Sequence, residues 1–128
     1  MRQHTVVPAL LVDLYELTMG QSYLEEGIEQ ASATFSLFAR HLPAHWGYFV
    51  AAGLESVLNF LEALRFSSDD LSFLGTTGLF STDFLDQLSE LRFSGSVRAL
   101  PEGTIFFPQE PLLEVTAPFL EASSKPPC

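Results

Sequence analysis

Residues 48–64 read YFVAAGLESVLNFLEAL, and this stretch decides the fold class. Its first five residues are a short apolar run typical of a buried strand, which ends at Gly53. Beyond the glycine, apolar residues recur at three- and four-residue spacings, the periodicity of one helix face. They are Leu54, Val57, Leu58, Leu61 and Leu64. A strand followed directly by an amphipathic helix predicts a mixed α/β fold in which this helix covers a sheet.

The chain before this stretch predicts a helix and a strand. Between residues 13 and 26, apolar residues fall mostly at helical spacing, and Gly27 provides a stop. Asp13 is the predicted N-cap, with Glu16 three residues later in a pattern resembling a capping box. Residues 31–40, ASATFSLFAR, mostly alternate as a half-buried strand does, although Phe38 breaks the alternation.

The chain after this stretch predicts two short helices and then strands. Ser67 and Ser81 each precede an apolar helical pattern and are suited to capping it. Residues 97–100, 104–107 and 112–115 are apolar runs separated by proline-containing turns, which predicts a three-stranded meander. The predicted sheet contains the strand at residues 35–39, the strand at residues 48–52 and this meander.

Composition excludes several classes of function. Hydrophobic residues make up 47% of the 128 residues, which favours a packed domain over disorder. The formal charge of −10 repels nucleic-acid phosphates and anionic lipids. No apolar run reaches the ~20 residues of a membrane span, and the N-terminus lacks a signal-peptide pattern, so we expect a cytosolic protein without nucleic-acid or membrane partners. Cys128 is the only cysteine, which excludes an intrachain disulfide.

Residues 11–19, LVDLYELTM, resemble the N-terminal signature of nicotinate phosphoribosyltransferases, with Val12 where the family usually has threonine. The resemblance continues through further blocks in family order and covers about residues 9–122. These blocks are FSLFAR at 35–40, AGLE at 52–55, LRFS at 64–67, LPEGT at 100–104 and FPQEPLL at 107–113.

The resemblance implies the sandwich-like N-terminal domain of a type II phosphoribosyltransferase, with helices packed on a mixed sheet. The catalytic barrel of the family is absent from the sequence. We therefore expect residues 1–122 to form this domain and residues 123–128 to be an unstructured tail outside the family pattern. The resemblance also implies a homodimer, whose active sites are shared between two subunits arranged head to tail.

The implied reaction converts nicotinate and phosphoribosyl pyrophosphate into nicotinate mononucleotide, a step of NAD biosynthesis. In the full-length enzyme it is coupled to ATP hydrolysis, with Mg²⁺ and a phosphorylated histidine. The family's histidine and phosphate-binding loops lie in the barrel, so the resemblance implies no catalytic or metal-binding residue here and no ATP or Mg²⁺ bound by this chain alone. His4, His41 and His45 show no metal-ligand spacing and are predicted to be surface or packing residues.

Three residues are candidates for substrate binding. By resemblance, Tyr15 reaches the neighbouring subunit's site and stacks on the pyridine ring of nicotinate; the alternative is core packing. Asp13 could lie near the same ring, although N-capping also explains it. Arg40 could bind a phosphate through bidentate hydrogen bonds, or could be a surface arginine. Trp46 is predicted to lie in the core or at a domain contact, and Glu102 and Gly103 in a turn.

Three functions remain open. The chain could be the N-terminal part of a nicotinate phosphoribosyltransferase, inactive alone because its six basic residues are scattered. It could be a non-catalytic interaction domain that docks on a full-length subunit and donates Tyr15, or an unproductive remnant. In each case its apolar composition predicts uncovered apolar surface, and either self-association or poor solubility when the chain is expressed alone.

Overall fold

The computed structural model describes residues 8–123 as a mixed α/β domain. Its five helices are α1 Leu14–Glu25, α2 Leu54–Ala63, α3 Ser68–Thr76, α4 Thr82–Glu90 and α5 Phe119–Ser123. Its five strands are β1 Ser32–Phe38, β2 Phe49–Val50, β3 Ser96–Ala99, β4 Ile105–Phe106 and β5 Pro111–Pro118. Helices packed on antiparallel sheets confirm the predicted fold class.

The main sheet has three antiparallel strands in the order β1-β5-β3. Phe35 and Val97 both pair with Val115, so the three side chains share one face. That face is directed at the helices, and Val97 packs against the helical core. The predicted alternation in β1 is confirmed, and the register of its pairing with β5 shifts between Leu37 and Phe38, where the sequence pattern breaks.

The opposite face of the main sheet carries polar residues. The hydroxyls of Thr34 and Thr116 are 2.8 Å apart across the β1–β5 pair, and Ser36 donates to a carboxylate oxygen of Glu114 at 3.1 Å. These cross-strand hydrogen bonds join β1 to the central strand on the side away from the helices.

The predicted meander is wrong, because β4 pairs with β2 in a separate two-stranded ribbon. The amide of Ala51 donates to the Thr104 carbonyl at 2.8 Å, and the Gly103 amide donates to the Ala51 carbonyl at 2.8 Å, which extends the ribbon beyond its strands. Strand β5 instead pairs with β1 and β3 on its two sides. The strand at residues 48–52 is therefore not in the main sheet, and only Phe49 and Val50 have strand geometry.

The helices surround a core centred on Phe84 and Leu88, whose side chains are fully buried. The predicted caps of α3 and α4 are confirmed: Ser67 and Asp70 form a capping box, and Ser81 accepts from the Phe84 amide. Each cap satisfies amides that have no partner within the helix, which fixes where the helix begins.

Helix α2 covers the sheet less completely than its apolar stripe predicts. Leu61 and Leu64 are buried in the helical core, and Leu54 and Val57 are half-buried beside Leu37 and Leu113 of the main sheet. Leu58 is exposed, contrary to the prediction, while Phe60 is buried in its place. The apolar side of α2 therefore lies beside the main sheet at the start of the helix and against the other helices at its end.

The chain after β5 forms α5, which the sequence analysis did not predict. Helix α5 contacts α1, β1 and β5, and Leu120 and Ala122 are buried. Ser123 is the last residue of α5, and the rest of the predicted tail, residues 124–128, lies outside the described residues.

Candidate functional site

Helix α1 carries two of the three candidate residues, and its inner face is held by the rest of the domain. Gly20 is buried, and a Cβ at that position would lie 2.9 Å from Cδ1 of Leu120, so glycine permits the close approach of α1 and α5. The rings of Tyr23 and Phe119 are 4.7 Å apart. Gln21 accepts a hydrogen bond from the Ser81 amide at 2.8 Å. These contacts determine which face of α1 points outward.

Tyr15 lies in the first turn of α1 on the outward face. It is five residues before Gly20 and two before the buried Leu17, which places it on nearly the opposite side of the helix from Leu17. Its side chain is 57% exposed, and its ring stacks on no other aromatic ring of residues 8–123. Core packing, the alternative for Tyr15, is therefore wrong.

Tyr15 belongs to an exposed apolar strip at the start of α1. The other members are Leu11, Leu14 and Met19, each exposed over roughly half of its side-chain surface. Met19 follows Tyr15 by four residues, so the two side chains are neighbours on the helix surface. An exposed phenol ring beside a thioether offers a flat apolar surface to one face of a planar ligand.

Asp13 occupies the N-cap position of α1, as predicted, but its side chain makes no capping hydrogen bond. Only its carbonyl takes part, accepting from the Glu16 amide at 2.9 Å. The predicted capping box of Asp13 and Glu16 is therefore wrong. The exposed carboxylate lies one residue from Leu14, where α1 begins, and so at the positive end of the helix dipole.

Arg40 lies two residues beyond the end of β1, in a segment fixed by its backbone. The backbone amide of Gln109 donates to the Ala39 carbonyl at 2.9 Å, and its side-chain amide donates to the Arg40 carbonyl at 3.1 Å. Gln109 has a left-handed backbone conformation, with φ of 70°. The Arg40 guanidinium is exposed and has no hydrogen bond or ion pair within the part of the chain described.

The structure does not join the three candidates into one site. Within residues 8–123, no hydrogen bond, ion pair or ring contact links Tyr15, Asp13 and Arg40. All three side chains are exposed, and each could contact a molecule outside the domain.

Positive charge is dispersed over the described surface. Arg40, Arg65, Arg92 and Arg98 follow or lie in four different elements. No three His, Cys, Asp or Glu side chains among residues 8–123 are grouped to hold a metal ion. His41 and His45 are exposed, and His4 lies outside the described range.

The sequence did not predict the contact of Glu102 with the start of α2. Glu102 lies in the predicted turn, where Gly103 has a φ of 82°, but its carboxylate also accepts from the Leu54 amide at 2.7 Å. Gly53, at the N-cap of α2, has no side chain that could accept a hydrogen bond from the first turn of the helix. A glycine at this position was the sequence signal that a residue from elsewhere could cap α2. Trp46 is exposed, so its predicted core position is wrong, while a domain contact stays a prediction.

None of the helices described between residues 8 and 123 combines the length and the apolar character needed to cross a membrane.

Comparison with known proteins first defines the class. The fold superimposes on the crystal structure of human nicotinic acid phosphoribosyltransferase with a TM-score of 0.79 and 38% identity, covering 89% of this chain and 23% of that one. It also superimposes on nicotinate phosphoribosyltransferase from Porphyromonas gingivalis with a TM-score of 0.60 at 17% identity, a likeness of fold alone. The domain thus has the fold of a phosphoribosyltransferase N-terminal domain.

Sequence then identifies the family. Residues 10–124 match the family described as nicotinate phosphoribosyltransferase N-terminal domain. Nicotinate phosphoribosyltransferase pncB2 of Mycobacterium tuberculosis is 49% identical over 121 residues, 94% of this chain and 26% of that protein. The mouse nicotinate phosphoribosyltransferase is 42% identical over 118 residues, 90% of this chain and 22% of that protein.

This chain belongs to the nicotinate phosphoribosyltransferase family, a family of transferase enzymes of NAD biosynthesis, and matches its N-terminal domain. It spans about a quarter of the length of these relatives.

Proposed function

We propose that this chain supplies the nicotinate-contacting N-terminal domain of a nicotinate phosphoribosyltransferase. The reaction joins nicotinate to the ribose of phosphoribosyl pyrophosphate and releases pyrophosphate, coupled to ATP hydrolysis with Mg²⁺ in the full-length cytosolic enzyme. The observation that carries the proposal is the exposure of Tyr15 on a helix whose opposite face is buried at Leu17 and Gly20.

Tyr15 binds and orients the substrate in this proposal. Its ring covers one face of the pyridine ring, and Met19 extends the apolar contact. The other face needs a second wall, which a neighbouring subunit provides in a head-to-tail homodimer. Tyr15 is a binding residue and takes no proton in the reaction.

Arg40 and Asp13 contribute polar contacts in the same proposal. The Arg40 guanidinium can donate two parallel hydrogen bonds to a phosphate group of the neighbouring site. The Asp13 carboxylate lies two residues from Tyr15 and lacks a capping hydrogen bond, so it is available to a polar group near the base.

The chain alone does not catalyse the transfer. Stabilising the departing pyrophosphate requires donors and cations placed in advance around it. The four described arginines are dispersed, and no step of the reaction can be assigned to the described residues beyond substrate binding. With purified chain, nicotinate, phosphoribosyl pyrophosphate, Mg²⁺ and ATP, we expect no nicotinate mononucleotide by chromatography; turnover would contradict the proposal.

A second function, a non-catalytic domain that docks on a full-length subunit, is favoured by the exposed strip of Leu11, Leu14, Tyr15 and Met19. In that case the docked chain donates Tyr15 to a site whose chemistry the full-length subunit performs.

The test of Tyr15 uses a chimera in which residues 1–122 replace the aligned segment of the Mycobacterium tuberculosis relative. Once the unmodified chimera is shown to turn over, Tyr15→Ala should raise the KM for nicotinate by about tenfold, the effect of losing ~1.4 kcal/mol of ring contact. Tyr15→Phe, which keeps the ring, should stay within about twofold.

Phe73→Ala is the matched control, because Phe73 is an equally exposed aromatic residue on α3. Its nicotinate kinetics should equal those of the unmodified chimera. If Tyr15→Ala also leaves nicotinate kinetics unchanged, Tyr15 has no role in binding.

A further inference from the structure

The turn at residues 107–110 has a glutamine in a strained position. The Phe107 carbonyl accepts from the Glu110 amide at 3.2 Å, and the Glu110 carboxylate accepts from the Phe107 amide at 2.7 Å, which closes the turn from both ends. Pro108 and Gln109 are its central residues, and a proline followed by a φ of 70° at Gln109 is the geometry of a type II turn. Glycine or asparagine usually occupies the second central position, because other side chains are strained there.

The backbone of Gln109 does not require a glutamine. Its amide donates to the Ala39 carbonyl at 2.9 Å, a hydrogen bond that any residue except proline would make at this position. Glycine adopts the left-handed conformation without strain. Of the two hydrogen bonds to the segment after β1, only the one from the side-chain amide to the Arg40 carbonyl, at 3.1 Å, depends on the glutamine side chain. That contact with Arg40 is therefore what the glutamine adds to the turn.

The segment that Gln109 holds lies just beyond the main sheet. The register of β1 with β5 shifts between Leu37 and Phe38, and the pairing ends at Phe38. Such an irregularity bends a strand and redirects the residues that follow it. Beyond that point the two hydrogen bonds from Gln109 hold two successive carbonyls, those of Ala39 and Arg40. The direction in which the chain leaves β1 is therefore fixed by the turn at residues 107–110.

The position of the Arg40 guanidinium depends on its backbone. The group is exposed and has no hydrogen bond or ion pair within the part of the chain described, so no neighbouring side chain of the domain orients it. An arginine that binds a phosphate through two parallel hydrogen bonds must present its planar group at a defined distance and angle. A small displacement of a group that holds substrate weakens its effect strongly. Holding the Arg40 carbonyl therefore narrows the positions that the guanidinium can reach.

We propose that Gln109 is a positioning residue for phosphoribosyl pyrophosphate, and that its side chain holds the backbone of Arg40 so that the guanidinium meets a phosphate of that substrate. Gln109 itself touches no substrate. The inference rests on the phosphate contact of Arg40 in the proposed function and adds the residue that holds it, whereas it is independent of Tyr15 and nicotinate.

Limited proteolysis of the full chain with trypsin tests the contact itself. Trypsin cleaves after arginine, and the carbonyl that Gln109 holds belongs to the peptide bond between Arg40 and His41. Gln109→Ala should speed cleavage after Arg40 severalfold, because cleavage follows local opening of the backbone. Cleavage after Arg65, between α2 and α3, should keep its rate. Mass spectrometry distinguishes the two cuts, and an unchanged rate after Arg40, or an equal rise at both sites, would contradict the proposal.

Steady-state kinetics of the chimera with the Mycobacterium tuberculosis relative test the role in substrate binding. Gln109→Ala should raise the KM for phosphoribosyl pyrophosphate by about fivefold, the size of effect expected when one hydrogen bond is lost. The KM for nicotinate should stay within about twofold. Gln87→Ala, which removes an exposed glutamine from α4, is the matched control and should change neither constant. A rise in both constants after Gln109→Ala would indicate a general loss of structure and contradict the proposal.

Gln109→Gly separates positioning from stability. Glycine relieves the left-handed backbone of residue 109, which offsets the lost hydrogen bond, so the melting temperature should not fall. The KM for phosphoribosyl pyrophosphate should nevertheless rise as it does in Gln109→Ala, because glycine cannot hold the Arg40 carbonyl. This variant also keeps the test decisive if Gln109→Ala folds poorly. An unchanged KM in Gln109→Gly would overturn the proposal.

A double-mutant cycle decides whether Gln109 acts through Arg40. Arg40→Ala should raise the KM for phosphoribosyl pyrophosphate at least as much as Gln109→Ala does, and the double variant should be no worse than Arg40→Ala alone. A further rise in the double variant would show that Gln109 acts by another route, which overturns the proposal.

The same cycle distinguishes failure of this inference from failure of the proposed function. If Arg40→Ala raises the KM for phosphoribosyl pyrophosphate and Gln109→Ala does not, only the inference on Gln109 is wrong. If Arg40→Ala leaves that KM unchanged, the phosphate contact in the proposed function is wrong and the inference on Gln109 is wrong with it. The nicotinate kinetics of the Tyr15 variants stay a separate test in every case.

Discussion

The carboxylate of Glu102 accepts a hydrogen bond from the backbone amide of Leu54 at 2.7 Å, across 48 residues of sequence. Leu54 is the first residue of α2, and its N-cap, Gly53, has a left-handed conformation with φ of 97° and no side chain to accept from the helix. Glu102 takes over that role from the turn before β4. The ribbon and the start of α2 are therefore joined by this contact.

Glu102→Ala should lower the free energy of unfolding by about 0.5–2 kcal/mol, the usual effect of losing a cap. Glu102→Gln should lower it less, since the amide oxygen can still accept. Urea denaturation measures both. Glu62→Ala, which removes an exposed carboxylate from α2 itself, should change stability by less than about 0.5 kcal/mol. If Glu62→Ala lowers the free energy of unfolding as much as Glu102→Ala does, the loss is not specific to the cap and the prediction is wrong.

Gly95→Ala should destabilise the domain by about 1–3 kcal/mol or more. A Cβ at residue 95 would collide with the backbone oxygen of Thr116 and lie 2.5 Å from Cβ of Ala117, so β3 could not stay against β5. Gly47→Ala is the control, because a Cβ there meets no atom within 4 Å. That variant should be neutral or more stable by up to about 1 kcal/mol, and equal melting temperatures for the two variants would contradict the prediction.

Ser67→Ala should lower the free energy of unfolding by about 1 kcal/mol, because Ser67 and Asp70 form both hydrogen bonds of a capping box. Asp13→Ala should have a smaller effect, a few tenths of a kcal/mol, since Asp13 loses only its interaction with the helix dipole. Chemical denaturation of the two variants side by side tests the difference. A larger loss for Asp13→Ala would mean that its carboxylate does cap α1 in solution.

Leu88→Ala should destabilise the domain by about 2–5 kcal/mol, because it empties space in the centre of the helical core. The same change at Leu79, which is exposed, should stay within about 0.5 kcal/mol. Thermal unfolding followed by circular dichroism measures both. Similar melting temperatures would place Leu88 outside the core.

Much of the local structure was predictable because its causes lie within a few residues. Ser67 and Ser81 indicate where α3 and α4 begin, because each accepts a hydrogen bond from the backbone amide three residues later. The spacing of Leu61 and Leu64 indicates the buried face of α2. Of the candidate site, sequence resemblance selected Tyr15, and its exposure on α1 agrees with a contact outside the domain. Its binding of nicotinate stays a prediction.

The pairing of strands was not predictable in the same way. Residues 104–107 have the same apolar character as the runs on either side of them, so alternation gave no reason to place β4 beside β2 rather than in the main sheet. Alternation determines which side chains share a face, but not which strand lies alongside, because pairing depends on segments distant in sequence.

The sequence by itself determined the family, through matching blocks that occur in family order. It also determined the mixed α/β class and where the capped helices begin, because capping and periodicity act over one or two turns. The tertiary structure decided that Glu102 caps α2, that Gly95 must lack a side chain, that Asp13 makes no cap, and that Val50 and Ile105 share an uncovered face. For Glu102, for Gly95 and for the pair of Val50 and Ile105, the reason is that contacts between residues far apart in the chain exist only after the chain has folded.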